Sequence, residues 1–161
     1  MKKEIAIVPG SFDPITNGHI FIVKQAAKMY KKVYVAVMIN SSKNYMFDIQ
    51  SRKSIAEAAL KDIPNVTVIS SEGWLWQLAN ELNADAIVKG YRNQKDLEYE
   101  LEMAKFNEEH APNTKTIILE TDPSLENISS TLIREYLQKG ITLSGLLPES
   151  AINEIKKISS D

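Results

Sequence analysis

The sequence predicts an α/β fold: a doubly wound five-stranded parallel sheet with helices on both faces. Three observations carry that expectation. Short, β-branched, wholly apolar runs recur along the chain, as strands buried on both faces require. Segments with helical apolar spacing separate them, and parallel neighbours need such right-handed crossovers. Gly, Pro and Asn mark many of the boundaries in between.

Ile5-Ala6-Ile7-Val8 reads as the first strand, ended by Pro9-Gly10. Ile20, Val23, Ala26, Ala27 and Tyr30 then recur at helical spacing, with Lys24, Lys28, Lys31 and Lys32 on the other face. Val33 to Ile39 is a second strand, followed by the polar Ser41-Ser42-Lys43-Asn44 loop and a helix over Gln50 to Leu60, with Ile55, Ala58 and Ala59 apolar. Pro64-Asn65 turns into a third strand, Val66 to Ile69; Leu75 to Leu82 is helical, and Ala84 to Val88 is a fourth, buried strand. Lys89-Gly90-Tyr91-Arg92 reads as a turn. A long charged helix follows from about Gln94 to Glu109, with Leu97, Leu101 and Ala104 inward, until Pro112 stops it. Thr116 to Leu119 supplies the fifth strand, Ser129 to Gln138 a helix closed by Gly140, and Glu149 to Ile158 a last amphipathic helix behind Pro148. The sequence shows no internal repeat and no low-complexity segment.

The length, 161 residues, suits one domain over 1–161. With 43% hydrophobic and 25% charged residues, a chain of this size buries roughly 70% of its unfolded surface and needs no staples. The absence of cysteine excludes a disulfide scaffold, a thiolate metal site and a cysteine nucleophile, and two histidines exclude a histidine-rich metal site. A net charge of -2 lacks the cationic excess of a general nucleic-acid binder, so no nucleic-acid partner is expected and any anion site must be local. No apolar run approaches the roughly 18 residues that span a bilayer, and Met1-Lys2-Lys3-Glu4 leads straight into a strand. The expectation is a cytoplasmic protein without a membrane partner.

Ligands of such sheets bind outside the carboxyl ends of the strands, which directs attention to the loops after Val8, Ile39, Val88 and Leu119. The run from Gly10 to His19 opens the first helix, where backbone N–H groups and the helix dipole favour phosphate. It matches neither a Walker loop nor a G-x-G-x-x-G fingerprint. Gly18 removes a side chain where a nucleotide could approach, His19 could donate a ring N–H to phosphate, and Thr16 or Asn17 can cap the helix. A lone histidine is more often structural, but this location favours a site. Lys43 taken alone is a solvated charge, and Glu100 alone is one more charge on an exposed helix. Lys89 and Arg92 bring two cations to one strand end around Gly90. Ile128-Ser129-Ser130-Thr131 begins a late helix and forms a second anion site. Asp13 lies close by but could equally cap a turn, and it is not assigned as a metal ligand.

The Gly10-to-His19 string resembles the T/H-x-G-H signature of the nucleotidyltransferase superfamily. Nearly the whole chain resembles the phosphopantetheine adenylyltransferase family of the bacterial type. The matching blocks are Pro9 to His19, Ser-Lys-x-x-Met-Phe from Ser42, Lys-Gly-Tyr-Arg…Asp-Leu-Glu-Tyr-Glu from Lys89, and Ile128-Ser-Ser-Thr-Leu-Ile-Arg134. The resemblance implies a Rossmann-like nucleotidyltransferase fold. It further implies transfer of AMP from ATP to 4′-phosphopantetheine, giving dephospho-coenzyme A and pyrophosphate without a covalent intermediate.

By the same resemblance His19, Lys43 and Arg92 are catalytic, His19 contacting the α-phosphate region in the transition state. Ser11 touches both ATP and the acceptor, and Phe12 joins it through its backbone. Lys43 meets the phosphate of phosphopantetheine. The backbone of Leu75 meets the pantetheine arm, with Trp74 and Trp76 walling the pocket or packing, packing being preferred for at least one. Lys89 binds acceptor where the family has arginine; lysine keeps the charge and loses the two-pronged donor. Gly90, Tyr91, Arg92 and Glu100 contact nucleotide. Leu125, Glu126 and Asn127 depart from the usual loop, which carries an aromatic, while Ile128, Ser129, Ser130 and Thr131 suit the β- and γ-phosphates. ATP would arrive with Mg²⁺ held mainly by its own phosphates and water, with no protein metal ligand expected. Feedback by coenzyme A at the same site and a homohexamer, a dimer of trimers, are further implications. The alternatives are a related nucleotidyltransferase joining ATP to nicotinate mononucleotide or CTP to a phosphorylated alcohol, and a noncatalytic ATP-binding sensor. The middle blocks favour the phosphopantetheine acceptor.

Overall fold

A computed structural model describes residues 3–160. Five strands, β1 (Lys3–Gly10), β2 (Tyr30–Ile39), β3 (Val66–Glu72), β4 (Ala86–Tyr91) and β5 (Lys115–Glu120), form one sheet in the order β3-β2-β1-β4-β5, every pair parallel. The crossovers are α1 (Asn17–Met29), α2 (Ile49–Leu60), α3 (Leu75–Glu81) and α4 (Gln94–His110); α5 (Ser130–Lys139) and α6 (Glu149–Ser159) follow the last strand.

The unbroken apolar runs are explained by burial on both faces of the sheet. Ala6, Val8, Val35 and Val37 pack with α1, α2, α5 and α6 through Ile20, Ile55, Ile133 and Ile152. The intervening Ile7, Ala36 and Ile87 pack against Leu78 and Ala79 of α3, with Ala84 and Ala111 beside them. Caps set the helix starts: Thr16 for α1, Asp48 for α2, Asn93 for α4 and Ser129 for α5 each accept a first-turn backbone N–H. Gly140 closes α5 in the left-handed region, at φ 70°.

Three local expectations are corrected. Tyr30 opens β2 instead of continuing the helix, because its N–H closes the last turn of α1 while its backbone is already extended. Lys89 to Tyr91 are not a turn; they pair in register with Ile118 to Glu120 and prolong β4. Leu101 does not point inward but is 54% exposed, and the buried residues of α4 are Glu100 and Asn107.

Candidate active site

The strand order reverses at β1, whose neighbours β2 and β4 are reached in opposite directions, and β1 parts from β4 just where the crevice is needed. It stays paired with β2 through Gly10, but with β4 only at Ala6 and Ile7. Pro9 accounts for the parting. The N–H and C=O of Ile5 both face the start of β4, bonding the Asp85 carboxylate and the Asp85 N–H. Pro9 has the same parity, and its missing N–H leaves no ladder donor on that side. The gap is a cavity of about 490 Å³ at the carboxyl end of the sheet.

Its wall brings together Phe12, His19, Lys43, Lys89, Gly90, Arg92, Glu100 and the run Ile128 to Thr131. Ser11 stands just behind, its Oγ 3.4 Å from Lys43 Nζ. Tyr91, Leu125, Glu126, Asn127 and Leu75 are not on this wall, though the carbonyls of Leu125 and Ile128 each lie 3.9 Å from where a Cβ on Gly18 would stand, behind Thr16 Oγ1 at 3.4 Å. Leu75 is the first residue of α3, behind β3. Of its neighbours, Trp74 is 57% exposed, whereas Trp76 packs beneath the sheet and tilts against His110, ring centroids 5.2 Å apart.

His19 is fixed by two residues, Thr16 and Phe12. The Thr16 N–H donates to its Nδ1 at 3.0 Å, completing a reciprocal cap in which Thr16 Oγ1 accepts the His19 N–H. The edge of the ring meets Phe12, centroids 5.0 Å apart and planes at 83°. Burial, then the charges of Arg92 and Lys89, lower its pKa to about 4. With Nδ1 occupied as an acceptor, the neutral ring carries its proton on Nε2, so His19 is a hydrogen-bond donor at neutral pH.

The cations are also held. Arg92 donates from both its backbone N–H and Nε to Asp96 Oδ2, at 3.1 and 3.2 Å, and Asp96 sits in the first turn of α4. Lys89 Nζ pairs with Glu100 Oε2 at 3.1 Å; the carboxylate is nearly buried and the lysine half-buried. Gly90 is required by packing, since a Cβ there would stand 2.7 Å from Ile22 Cγ1 on α1. At the other wall the α5 N-terminus presents the first-turn N–H groups of Ser130 and Thr131, which no helix satisfies internally. Among the described residues, no group of three His, Asp or Glu side chains converges to hold a metal.

Sequence reasoning assigned no site role to the groups that tie these walls together. Asp13 is buried, and its carboxylate accepts the N–H groups of Met46 and Phe47 at 2.9 and 3.0 Å. Arg134 donates to the Asp13 carbonyl at 2.8 Å, and Ser130 Oγ to the Pro14 carbonyl at 2.8 Å. Asp96, Tyr99 and Thr121 also line the cavity. Arg134 ends the Ile-Ser-Ser-Thr-Leu-Ile-Arg block, the one sequence signal that could have pointed to this tie.

A family model for cytidylyltransferase-like proteins matches residues 7–136. Curated relatives named phosphopantetheine adenylyltransferase align along most of the chain. That of Lactobacillus helveticus is 43% identical, covering 95% of this chain and 94% of its own. That of Caldanaerobacter subterraneus subsp. tengcongensis is 44% identical over 90% and 91%, and that of Clostridium tetani 38% identical over 98% and 98%. The fold is shared with a crystal structure from Vibrio parahaemolyticus under the provisional name nicotinate-nucleotide adenylyltransferase, with TM-score 0.74, 21% identity and coverage of 96% and 93%. With such a cavity at its switch point and a match to those relatives over nine-tenths or more of their length, the chain belongs to the phosphopantetheine adenylyltransferase family of cytidylyltransferase-like proteins.

Proposed function

We propose that this chain transfers the adenylyl group of ATP to the phosphate of 4′-phosphopantetheine, producing dephospho-coenzyme A and pyrophosphate. The observation that carries the reading is the convergence of His19, Lys43, Lys89, Arg92 and the α5 N-terminus on one cavity, in a member of this family. An oxygen of the acceptor phosphate attacks the α-phosphorus of ATP. The bond from that phosphorus to the bridging oxygen breaks, and its electron pair leaves with pyrophosphate. The acceptor phosphate is already a nucleophile, so no covalent enzyme intermediate is needed, and the protein supplies alignment and charge stabilisation.

Lys43 and Lys89 hold the acceptor phosphate beside Ser11, and the backbone at Leu75 takes the pantetheine arm. The neutral His19 donates Nε2–H to an α-phosphoryl oxygen as charge grows there. Ser11, Phe12, Gly90, Tyr91, Arg92 and Glu100 contact the nucleotide. Leu125, Glu126 and Asn127 lead into Ile128, Ser129, Ser130 and Thr131, whose N–H groups and hydroxyls receive the leaving phosphates. Mg²⁺ fits this donor set as an ion carried by ATP: the cavity carboxylates Asp96 and Glu100 are paired with Arg92 and Lys89, leaving substrate phosphates and water as its ligands. When bound, it neutralises charge on the β- and γ-oxygens.

The same reading includes a single nucleotidyltransferase domain over 1–161, supported by one sheet containing all five strands. It includes a cytoplasmic location, in keeping with the absence, among the described residues, of a helix long and apolar enough to cross a membrane. Family membership supports a homohexamer and competition by coenzyme A; sedimentation should then give the hexamer mass and not that of the 18.1 kDa chain.

The test is pyrophosphate release from Mg²⁺-ATP with 4′-phosphopantetheine, nicotinate mononucleotide or no acceptor. Release with phosphopantetheine alone is expected. Release only with nicotinate mononucleotide would overturn the acceptor, and ATP binding without release would make the chain a nucleotide sensor.

A further inference from the structure

Arg52, on α2, is 2% exposed and has no ion-pair partner among the described residues. Its compensation comes from carbonyls and a π face. Nη1 donates to the carbonyls of Ser11 at 2.9 Å and Met38 at 3.0 Å, Nε donates to that of Phe47 at 3.2 Å, and the guanidinium lies 3.8 Å from the centre of the Tyr45 ring. An apolar side chain of similar volume would fill such a space without burying a charge. What it could not do is gather three carbonyls from separate segments, which the planar fork of arginine does and lysine does not.

Those segments meet at the acceptor end of the cavity. Ser11 lies in the loop after β1, Met38 near the end of β2, and Phe47 at the far side of the loop that carries Lys43. The loop itself is largely exposed and holds a local turn, with the Lys43 N–H on the Asn40 carbonyl and the Asn40 N–H on Tyr45 Oη, so Lys43 is placed by that turn and by the loop's two anchored ends. Asp13 secures the far end through the Met46 and Phe47 N–H groups, and Arg52 joins both ends to Ser11. The outcome is the 3.4 Å approach of Lys43 Nζ to Ser11 Oγ.

We propose that Arg52 is a positioning residue for the acceptor phosphate: it sets Lys43 against Ser11 by clamping their two loops. This rests on the function proposed above. Because the clamp lies on the β2 side of the cavity and Arg92 and the α5 N-terminus on the other, its loss should weigh far more on the acceptor than on ATP, which Ser11 alone of the clamped residues is proposed to touch.

The experiment measures KM and kcat for both substrates in the wild type, Arg52→Lys, Tyr45→Leu and Tyr45→Phe, with thermal melts of each. Arg52→Lys keeps the charge and loses the fork. Its KM for phosphopantetheine should rise about tenfold or more while that for ATP changes less than about twofold. Tyr45→Leu removes the stacking face together with the hydroxyl that accepts the Asn40 N–H at 3.0 Å, whereas Tyr45→Phe removes the hydroxyl alone; the former should raise the same KM by about two- to fivefold over the latter. That difference decides the matter if Arg52→Lys does not fold, and its absence would overturn the proposal. A merely structural role would lower the active fraction or the melting temperature with both KM values unchanged. That result, or an equal rise in both, would overturn the proposal while the wild type still turns over phosphopantetheine. A wild type inert toward phosphopantetheine would overturn this proposal together with the function on which it rests.

Discussion

His19 shows how one side chain acquires a role from its surroundings. The Thr16 N–H on Nδ1 and the Phe12 ring fix its tautomer and its plane, and burial beside two cations keeps it neutral. As a neutral donor whose contact strengthens with charge on the α-phosphoryl group, it should matter to kcat far more than to ATP binding. His19→Ala should lower kcat about 100–1000-fold, as loss of one oxyanion donor does, with KM for ATP nearly unchanged in steady-state assays. The same pKa gives a stability prediction. Between the ordinary value of 6.5 and the folded value of about 4, the unfolded chain binds a proton at this position that the folded chain does not. Stability therefore falls as pH drops from 6.5 towards 4 and receives no further loss from this group below that. His19→Gln should flatten that part of the profile in denaturant titrations at stepped pH, leaving stability at pH 8 comparatively little altered.

At the scale of elements, the site depends on how closely α1 approaches β4. Gly90 allows it: the position is in β4, and a methyl group there would press on Ile22 of α1, the helix that carries His19 in its first turn. Gly90→Ala should destabilise the chain by about 1–3 kcal/mol, the usual cost of overpacking, and also lower kcat by displacing His19 from Arg92. Ile22→Ala creates the missing space, so the double variant should recover part of both losses. Additive losses in the double-mutant cycle would show that the two side chains do not meet. The glycine was visible in the sequence as the residue between two cations at a strand end. Its packing role was not visible, because it depends on which helix crosses which strand.

For the whole molecule, the fold class was legible because strands buried on both faces leave apolar runs, and crossovers leave a helical period, that survive in a single sequence. Pro9 was read as the end of a strand, when it is a strand residue whose missing donor opens the crevice. The Leu97, Leu101, Ala104 stripe misled because α4 borders the cleft, where its inward residue is Glu100. Site residues in contiguous blocks could be named in advance. Arg52 with Ser11, 41 positions apart, and Arg134 with Asp13, 121 apart, form side-chain-to-carbonyl ties that leave no periodic trace. The Arg134 tie matters because the two halves of the sheet, β3-β2-β1 and β4-β5, share a ladder of Ala6–Ala86 and Ile7–Ile87, extended only by the Ile5–Asp85 bonds. A nucleotide bound as proposed would bridge those halves just beyond the ladder, so it should stabilise the whole sheet and not one loop. Mg²⁺-ATP at about 100 times its Kd adds about 2.7 kcal/mol by linkage. For a chain of this length that corresponds to a rise of about 5–10 °C in Tm. In calorimetry, His19→Ala should keep most of that rise if its contact belongs to the transition state as proposed, whereas Arg92→Ala should lose most of it. Equal loss in the two variants would mean that His19 holds ground-state ATP, and the division between binding and catalysis across the crevice would have to be redrawn.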